Sequence, residues 1–440
     1  MPSENFIVAT RAHSSKTQNG MLKDVGVYIH EIQPECTIRS SFKKGSAHPN
    51  SLAANSSHIF VAQADKAIVN VYSREKGNLE ALVSFPERVH SLAIAGESIV
   101  AVGLAEGRII LWEVSTGKQV STSAAHLQIV DSLAATDLHI LSGSTDSNIH
   151  VWSIPQLLGI PSNETQEPLR CFSNHQAAIS SMVLGHSIGN SNICVSSSVD
   201  STIIVWNYLS GQLLRTFLLP KIPLCLGLDP CDRAVFAGLE DGSVQMIEFL
   251  TLDSVKNPLY DIELQATPVQ VKSTPWNPPI DAGSALAISL SYDGTYLLTG
   301  HESGKVYRWD TGNRRFASEC VDFSSPVTNL KIELPFPKKK NLKICVVSKP
   351  KLTEQNYTLN SQFIQPLTTS RFDQTVSSYG FPRDVLERAI SQLSTTSQAS
   401  VSTENQLKKE NQELWKIINE QRAVQKATWD KYNSLRTGDT

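Results

Sequence analysis

The sequence predicts an all-β, seven-bladed β-propeller with a C-terminal α-helical coiled-coil extension. Three observations predict it. A strand–turn–strand phrase recurs about every forty residues. Helical periodicity is almost absent before residue 380. A heptad pattern then follows residue 403.

The recurring phrase is a short apolar strand, a tight turn with Asp, Glu or Gly, and a strand ending in an aromatic. It reads LSGSTDSNIHVW to Trp152, SSSVDSTIIVW to Trp206, AVGLAEGRIILW to Trp112 and LTGHESGKVYRW to Trp309. Weaker copies are FVAQADKAIVNVY to Tyr72, FAGLEDGSVQM to Met246 and a worn DVGVYIHEI around Tyr28. The closing positions 28, 72, 112, 152, 206, 246 and 309 lie 44, 40, 40, 54, 40 and 63 residues apart. A period of about 40–45 residues is that of WD-repeat propeller blades, so the fold class is a seven-bladed WD-repeat β-propeller. Six or eight blades stay open at this point.

The two long gaps hold loop-like insertions at 155–170, 185–192 and the proline-rich 251–283. A ring must close, so 327–334 and 342–348 are expected to pair with the N-terminal strands near 6–10 and 25–30. The first blade would then be built from both chain ends. The propeller is assigned to residues 1–349.

Two repeats carry Asp six residues before Trp, Ser four before that Asp, and a preceding His. These are His126, Ser142, Asp146, Trp152 and His175, Ser196, Asp200, Trp206. Such a set satisfies a buried indole N–H, an imidazole and a carboxylate together, and resembles the structural tetrad of WD repeats. Glu106 and Ser303 replace the Asp before Trp112 and Trp309, so those blades are expected to be less well tied.

A Ser, a His and an Asp also suggest a nucleophilic triad. The set repeats between blades, includes Trp, and lacks the G-x-S-x-G elbow, so no catalytic residue and no enzyme activity is assigned. The segment from Gly300 through Lys305 to Val306 has three residues between its glycines and no Ser or Thr for magnesium, against a phosphate loop. No cofactor and no metal site is expected. Lys338, Lys339, Lys340 and Lys343 form the densest basic run. They read as a solvated loop, or as a nuclear signal or RNA-phosphate contact. Arg314 and Arg315 give a weaker signal of the same kind.

The 440 residues are 40% hydrophobic and 18% charged, which permits a large buried core. A formal charge of −3 argues against coating nucleic acid, so any RNA contact should be local. Seven cysteines without a Cys-x-x-Cys pair and a start without a signal peptide suggest a reducing compartment. The sequons at Asn55, Asn163 and Asn356 are then not expected to be glycosylated. No apolar run is long enough to span a membrane.

Beyond the propeller, 350–380 reads as an irregular strap and 381–393 as a short amphipathic helix starting at Pro382. Residues 394–402 read as a linker, and 403–435 as a coiled-coil helix opened by the capping box Thr403–Gln406. Its seam is Leu407, Leu414, Ile417, Gln421, Val424, Thr428 and Leu435. The seam suits another chain, a second copy or a partner, with the polar Gln421 setting register. Folding back on the propeller is the other reading.

The run from Ser196, SSSVDSTIIVWNYLSGQLLRTFLLP, leads into a divergent blade, LCLGLDPCDRAVFAGLEDGSVQMIE. With GRIILWEVSTGK, HLQIVDSL and the terminal heptads, it resembles the WD-repeat subunit of the Rix-type complex that matures pre-60S ribosomal particles. The resemblance implies nuclear and nucleolar work on pre-rRNA, including removal of the second internal transcribed spacer. It implies helical-repeat partner subunits, an indirect link to a midasin-type AAA ATPase, and a homodimer through the C-terminal helix. A link to replication licensing is a lesser implication. The rival reading is a propeller adaptor of a chromatin, replication-licensing or ubiquitin-ligase complex, reading a peptide at its central pore.

Overall fold

The computed structural model describes residues 4–12, 26–32, 36–43, 45–123, 125–159, 166–185, 192–249, 259, 265, 267–279, 282–333, 346–350 and 401–437. The chain divides into two compact units, 1–362 and 363–440.

The first unit is a seven-bladed β-propeller. Blades 2 to 7 are built of consecutive antiparallel strands, blade 5 with the later segment Val269–Gln270 added in parallel to its outer strand, and their inner strands begin at Leu52, Val89, Val130, Ile179, Pro223 and Ala285. The aromatic or apolar residues that end the repeats all fall on the third strand of a blade. Trp112, Trp152, Trp206 and Trp309 are fully buried there. Second strands are buried along all or all but one of their residues, wholly so in Ile193–Ser198 and Ala234–Leu239. They lie between two neighbouring blades, so they read as continuous apolar or small-residue runs rather than alternating ones.

A glycine stands nine residues before Trp112, Trp152 and Trp309, where the next blade's inner strand presses on the sheet. A Cβ at Gly103 would meet Val130 at 2.9 Å, one at Gly143 would meet Ile179 at 2.8 Å, and one at Gly300 would meet Val327 at 2.3 Å. The glycine of the repeat is therefore a condition of blade-to-blade packing.

Blade 1 closes the ring. Its inner strand is Val327–Glu333, which pairs antiparallel with Asn5–Thr10, followed outward by Gly26–Glu31 and Thr37–Lys43. Phe6 and Val8 pack with Leu298, Val306 and Val327 towards blade 7. Ile7, Ala9 and Val27 pack with Ile59 and Val61 towards blade 2. Asn329 adds a further tie, because its side-chain oxygen accepts from the Ser51 amide at 3.0 Å.

Part of the expected closure is corrected. Residues 342–345 lie outside the described residues, and 346–348 do not join the N-terminal strands. Ser348 instead bonds to blade 3 through its amide to the Val114 carbonyl (2.8 Å) and its hydroxyl to the Ser115 carbonyl (2.8 Å). Blade 1 already has four strands and offers that segment no edge beside its inner strand. The insertion after Trp152 is not wholly loop either, because Ile154–Gly159 forms a short helix that buries Ile154 and Leu157.

The second unit contains a helix, Val401–Thr437. It begins two residues before the expected Thr403, so Val401 and Ser402 are helical rather than linker. Ends assigned by pattern commonly differ by a residue or two. The calls on 351–380, 381–393 and 394–400 lie outside the described residues. Among the described residues, no helix is long and apolar enough to cross a membrane.

The closing blade also buries a histidine. His30 is fully enclosed, stacked on Phe6 at 5.1 Å with Phe323 edge-on at 5.4 Å, and neither ring nitrogen has a hydrogen-bond partner. Burial drives its pKa down to about 4. Burial holds His301 and, together with the neighbouring His126, His150 down to about 4 as well. The unfolded chain takes up these protons near pH 6.5 and the folded chain only near 4, so the unfolded state binds more protons in between. Stability should therefore fall as pH drops from 6.5 towards 4. In urea denaturation at pH 7 and pH 5, His30→Phe should lose less stability between the two than the wild type. An equal loss would show that His30 has no part in it.

Candidate functional site

The two tetrads stand at blades 4 and 5. In blade 4 the Trp152 indole N–H donates to Ser142 Oγ (3.1 Å), and Ser142 Oγ lies 2.8 Å from His126 Nε2. His126 Nδ1 lies 3.2 Å from Asp146 Oδ2. The carboxylate accepts only, so Nδ1 carries the proton and the serine hydroxyl donates to Nε2. Burial depresses the His126 pKa, with Asp146 pulling the other way. Burial works to raise that of Asp146, but the Asn148 amide, His126 and the Leu127 amide outweigh it and hold the carboxyl low.

Blade 5 departs from this pattern. Trp206 donates to Ser196 Oγ (2.9 Å) and His175 Nε2 meets the same oxygen (2.8 Å). His175 Nδ1, however, bonds to Thr202 Oγ1 at 2.9 Å, and Thr202 donates on to Asp200. The direct His175–Asp200 separation is 3.6 Å. A threonine thus relays the pair, a part the spacing rule did not name.

The expectation that blades 3 and 7 are loosely tied is corrected. In blade 7, Trp309 donates to Thr299 Oγ1 (2.8 Å), which lies 2.8 Å from His301 Nε2. Thr299 stands ten residues before its Trp, as Ser142 and Ser196 do. That spacing was the signal available for it. In blade 3 the same position is Val102, which cannot accept a hydrogen bond. There the Trp112 indole donates to the Ser348 carbonyl, 236 residues away in sequence, at 3.0 Å.

These sets are frameworks with no access for a substrate. The His126 ring is fully covered, and Ser142 Oγ is already shared between an indole and an imidazole. The glycine segment before Lys305 lies in the blade 7 hairpin, and Lys305 is paired with Glu319 at 3.1 Å. Among the described residues, no group of three or more His, Cys, Asp and Glu could hold a metal ion. Lys338, Lys339, Lys340 and Lys343 lie outside the described residues.

The central channel is crossed at the end where the inner strands begin. Asn50, just ahead of the inner strand of blade 2, donates to the carbonyls of Asp131 (3.1 Å) and Ser180 (2.9 Å). Those residues lie on the inner strands of blades 4 and 5, neither adjacent to blade 2. His48 and His90 stack nearby at 5.1 Å, and His90 Nδ1 is 3.6 Å from Asp131. These polar groups already have partners in this chain.

On the C-terminal helix, Leu414, Ile417 and Val424 are about half exposed or more (48%, 52% and 63%), and Gln421 and Thr428 are exposed. Thr428 turns its hydroxyl back to the Val424 carbonyl. The side chains of Leu407 and Leu435 lie outside the described residues. Heptad counting missed Ile418, Trp429 and Tyr432, which are also exposed. Ile418 and Tyr432 follow Leu414 and Thr428 by four residues, so they share the stripe.

Comparison with known proteins places these features. Residues 166–207 match the WD40 family, described as WD domain, G-beta repeat. The chain is 28% identical to WD repeat-containing protein 18 of Danio rerio over 68% of this chain and 67% of that protein. It is 24% identical to the pre-rRNA-processing protein crb3/ipi3 of Schizosaccharomyces pombe over 90% of this chain and 94% of that protein. Among solved structures, the computationally designed protein Ika8 superposes with a TM-score of 0.50 at 22% identity, covering 75% of this chain and 90% of the design. That likeness concerns the fold alone.

The buried indoles generate a paired test. Ser142→Ala strands the Trp152 N–H and His126 Nε2, at about 1–3 kcal/mol for each orphaned group. Denaturant unfolding should show it. Ser348→Pro removes the Ser348 amide and hydroxyl from blade 3. Hydrogen exchange should then rise around 112–116 and stay unchanged in blade 5; an unchanged blade 3 would mean that the docked segment adds nothing.

Proposed function

We infer that this chain is a WD-repeat member of the pre-rRNA-processing proteins and works in ribosome biogenesis, as a non-catalytic scaffold of a nuclear complex maturing the large ribosomal subunit. One observation carries the reading. The kinship to the pre-rRNA-processing protein of S. pombe runs along 90% of this chain, past the propeller and into its C-terminal region. A shared propeller alone would end with the blades.

The physical features agree with a scaffold. A closed ring offers a rigid rim at little ordering cost, and binding keeps more of its free energy when surfaces are preorganised. The polar groups of the repeats are occupied in holding blades together, which supports a role without catalysis. Asn50 across the channel disfavours the rival reading of a peptide bound at the pore.

The helix supplies a second attachment. Its apolar stripe is costly to leave in water, and pairing with a second copy through Leu407, Leu414, Ile417, Gln421, Val424, Thr428 and Leu435 would cover it. A dimer would present two propellers to helical-repeat partners and to the pre-60S particle. Avidity would then exceed either contact alone. Any RNA contact would be local, with Lys338, Lys339, Lys340 and Lys343 as its first candidates or as a nuclear signal. Contact with a midasin-type AAA ATPase would be indirect.

Two measurements test the reading. The double variant Leu414→Glu, Ile417→Glu should halve the mass found by gel filtration with light scattering and leave the propeller's unfolding midpoint unchanged. An unaltered mass counts against pairing through this stripe. Depletion in cells should cause accumulation of pre-rRNA that retains the second internal transcribed spacer, with rescue by the intact chain and weaker rescue by a chain truncated after Leu393. Normal pre-rRNA processing after depletion would exclude the function.

A further inference from the structure

Two cysteines meet across the seam that closes the ring. Cys36 stands one residue before Thr37–Lys43, the outer strand of blade 1, and Cys320 lies in Arg315–Asp322, the outer strand of blade 7. Both pack against the same apolar cluster, with Phe6, Tyr28, Val306 and Phe323. That cluster joins the N-terminal strands to blade 7. The two thiols hydrogen-bond to each other, and neither is in a disulfide.

A local irregularity puts Cys320 there. The pairing of Lys305–Asp310 with Arg315–Asp322 shifts register twice, whereas the matching pairings in blades 1 to 5 shift once or not at all. At one shift Val306 faces Val321 and Tyr307 faces Glu319, so Cys320 is the extra residue of a bulge. Successive side chains of a strand normally alternate between faces, and a bulge re-aims one of them. Cys320 and Val321 are accordingly both half-buried against the cluster.

The two thiols are unequal. The Cys320 S–H donates to the Cys36 sulfur, which lowers the Cys36 pKa against the opposing effect of burial, and Arg308 lowers it further. The same hydrogen bond, and then burial, raises the Cys320 pKa. The Arg308 guanidinium lies 4.3 Å from the ring centre of Tyr296, a member of the cluster. Cys36 is therefore the nucleophile, and Cys320 is the thiol that keeps its proton. Burial pushes the enclosed Cys194 and Cys225 up to about 12, so they are inert by comparison.

We propose that Cys36 and Cys320 form an oxidation site, where a hydroperoxide converts the facing thiols into a disulfide that locks blade 1 to blade 7. The Cys36 thiolate attacks the terminal oxygen of the peroxide and the O–O bond breaks. Cys36 becomes a sulfenic acid, and the leaving oxygen takes a proton from solvent and departs as water or an alcohol. The Cys320 sulfur then attacks the Cys36 sulfur, the S–O bond breaks, and the hydroxide leaves with the Cys320 proton as water. The two thiols lose two electrons and the peroxide gains them. A bridge between residues so distant in sequence restricts the unfolded chain, and it holds the ring where the N-terminal strands join. The proposal goes beyond the scaffold reading and does not depend on it.

The test treats the reduced full-length chain with hydrogen peroxide, blocks remaining thiols with iodoacetamide and digests with trypsin without reduction. Mass spectrometry should find peptide 24–39, which holds Cys36, linked to peptide 316–331, which holds Cys320. The exposed Cys171 and Cys231 should still be alkylated. Oxidation should raise the urea unfolding midpoint, and dithiothreitol should return it. In Cys320→Ser the sulfenic acid at Cys36 persists and should be captured by dimedone, whereas Cys36→Ser should give no capture at Cys320. The wild-type arm decides without either variant. No linked peptide, Cys36 or Cys320 linked to another cysteine instead, or a midpoint unmoved by the link would overturn the proposal. The pre-rRNA assay above is independent of this one, so the two ideas fail separately.

Discussion

Everything in the propeller depends on one pairing, that of Val327–Glu333 with Asn5–Thr10. Each blade buries both faces against its neighbours, so a ring missing one contact would expose two apolar sheet faces. The pairing joins segments more than three hundred residues apart, as in the bond from Thr328 to the Ala9 carbonyl. Loop-closure entropy grows only logarithmically with length, so a closure of this span remains affordable. The gain is both halves of the blade 1 core, Phe6 and Val8 on one face and Ile7 and Ala9 on the other.

Within the ring a second constraint repeats. Each closing tryptophan buries an indole N–H, and a buried donor without an acceptor is costly. Four blades meet this in three ways. Blades 4 and 5 use a strand serine held by a histidine from a loop. Blade 7 uses a threonine held by a strand histidine. Blade 3 has a valine where the acceptor should be, and borrows the carbonyl of Ser348 from the chain that has already left the propeller. That debt ties the post-propeller segment to one blade, with Val347 packed against the same core.

On the scaffold reading, rigidity at the centre leaves recognition to the margins. With Asn50 spanning the channel and the repeat polar groups occupied in the frame, the free hydrogen-bonding and apolar capacity lies elsewhere. The C-terminal helix presents the exposed side chains of Leu414, Ile417 and Val424. A scaffold binding through that stripe would need no chemistry of its own.

The sequence by itself determined the beat of the blades, because a strand, a turn and a returning strand are local and carry their spacing with them. Glycine nine and a hydroxyl ten residues before Trp152 and Trp309 were legible in this way, as was the apolar stripe from Leu414 onwards. Only the tertiary structure decided that Ser348 serves Trp112, that Thr202 stands between His175 and Asp200, that Asn50 reaches blades 4 and 5, and that Val269–Gln270 pairs with the outer strand of blade 5. These outcomes depend on which distant segments the circumference of the ring brings together. Distance around a closed ring is not encoded by spacing along the chain.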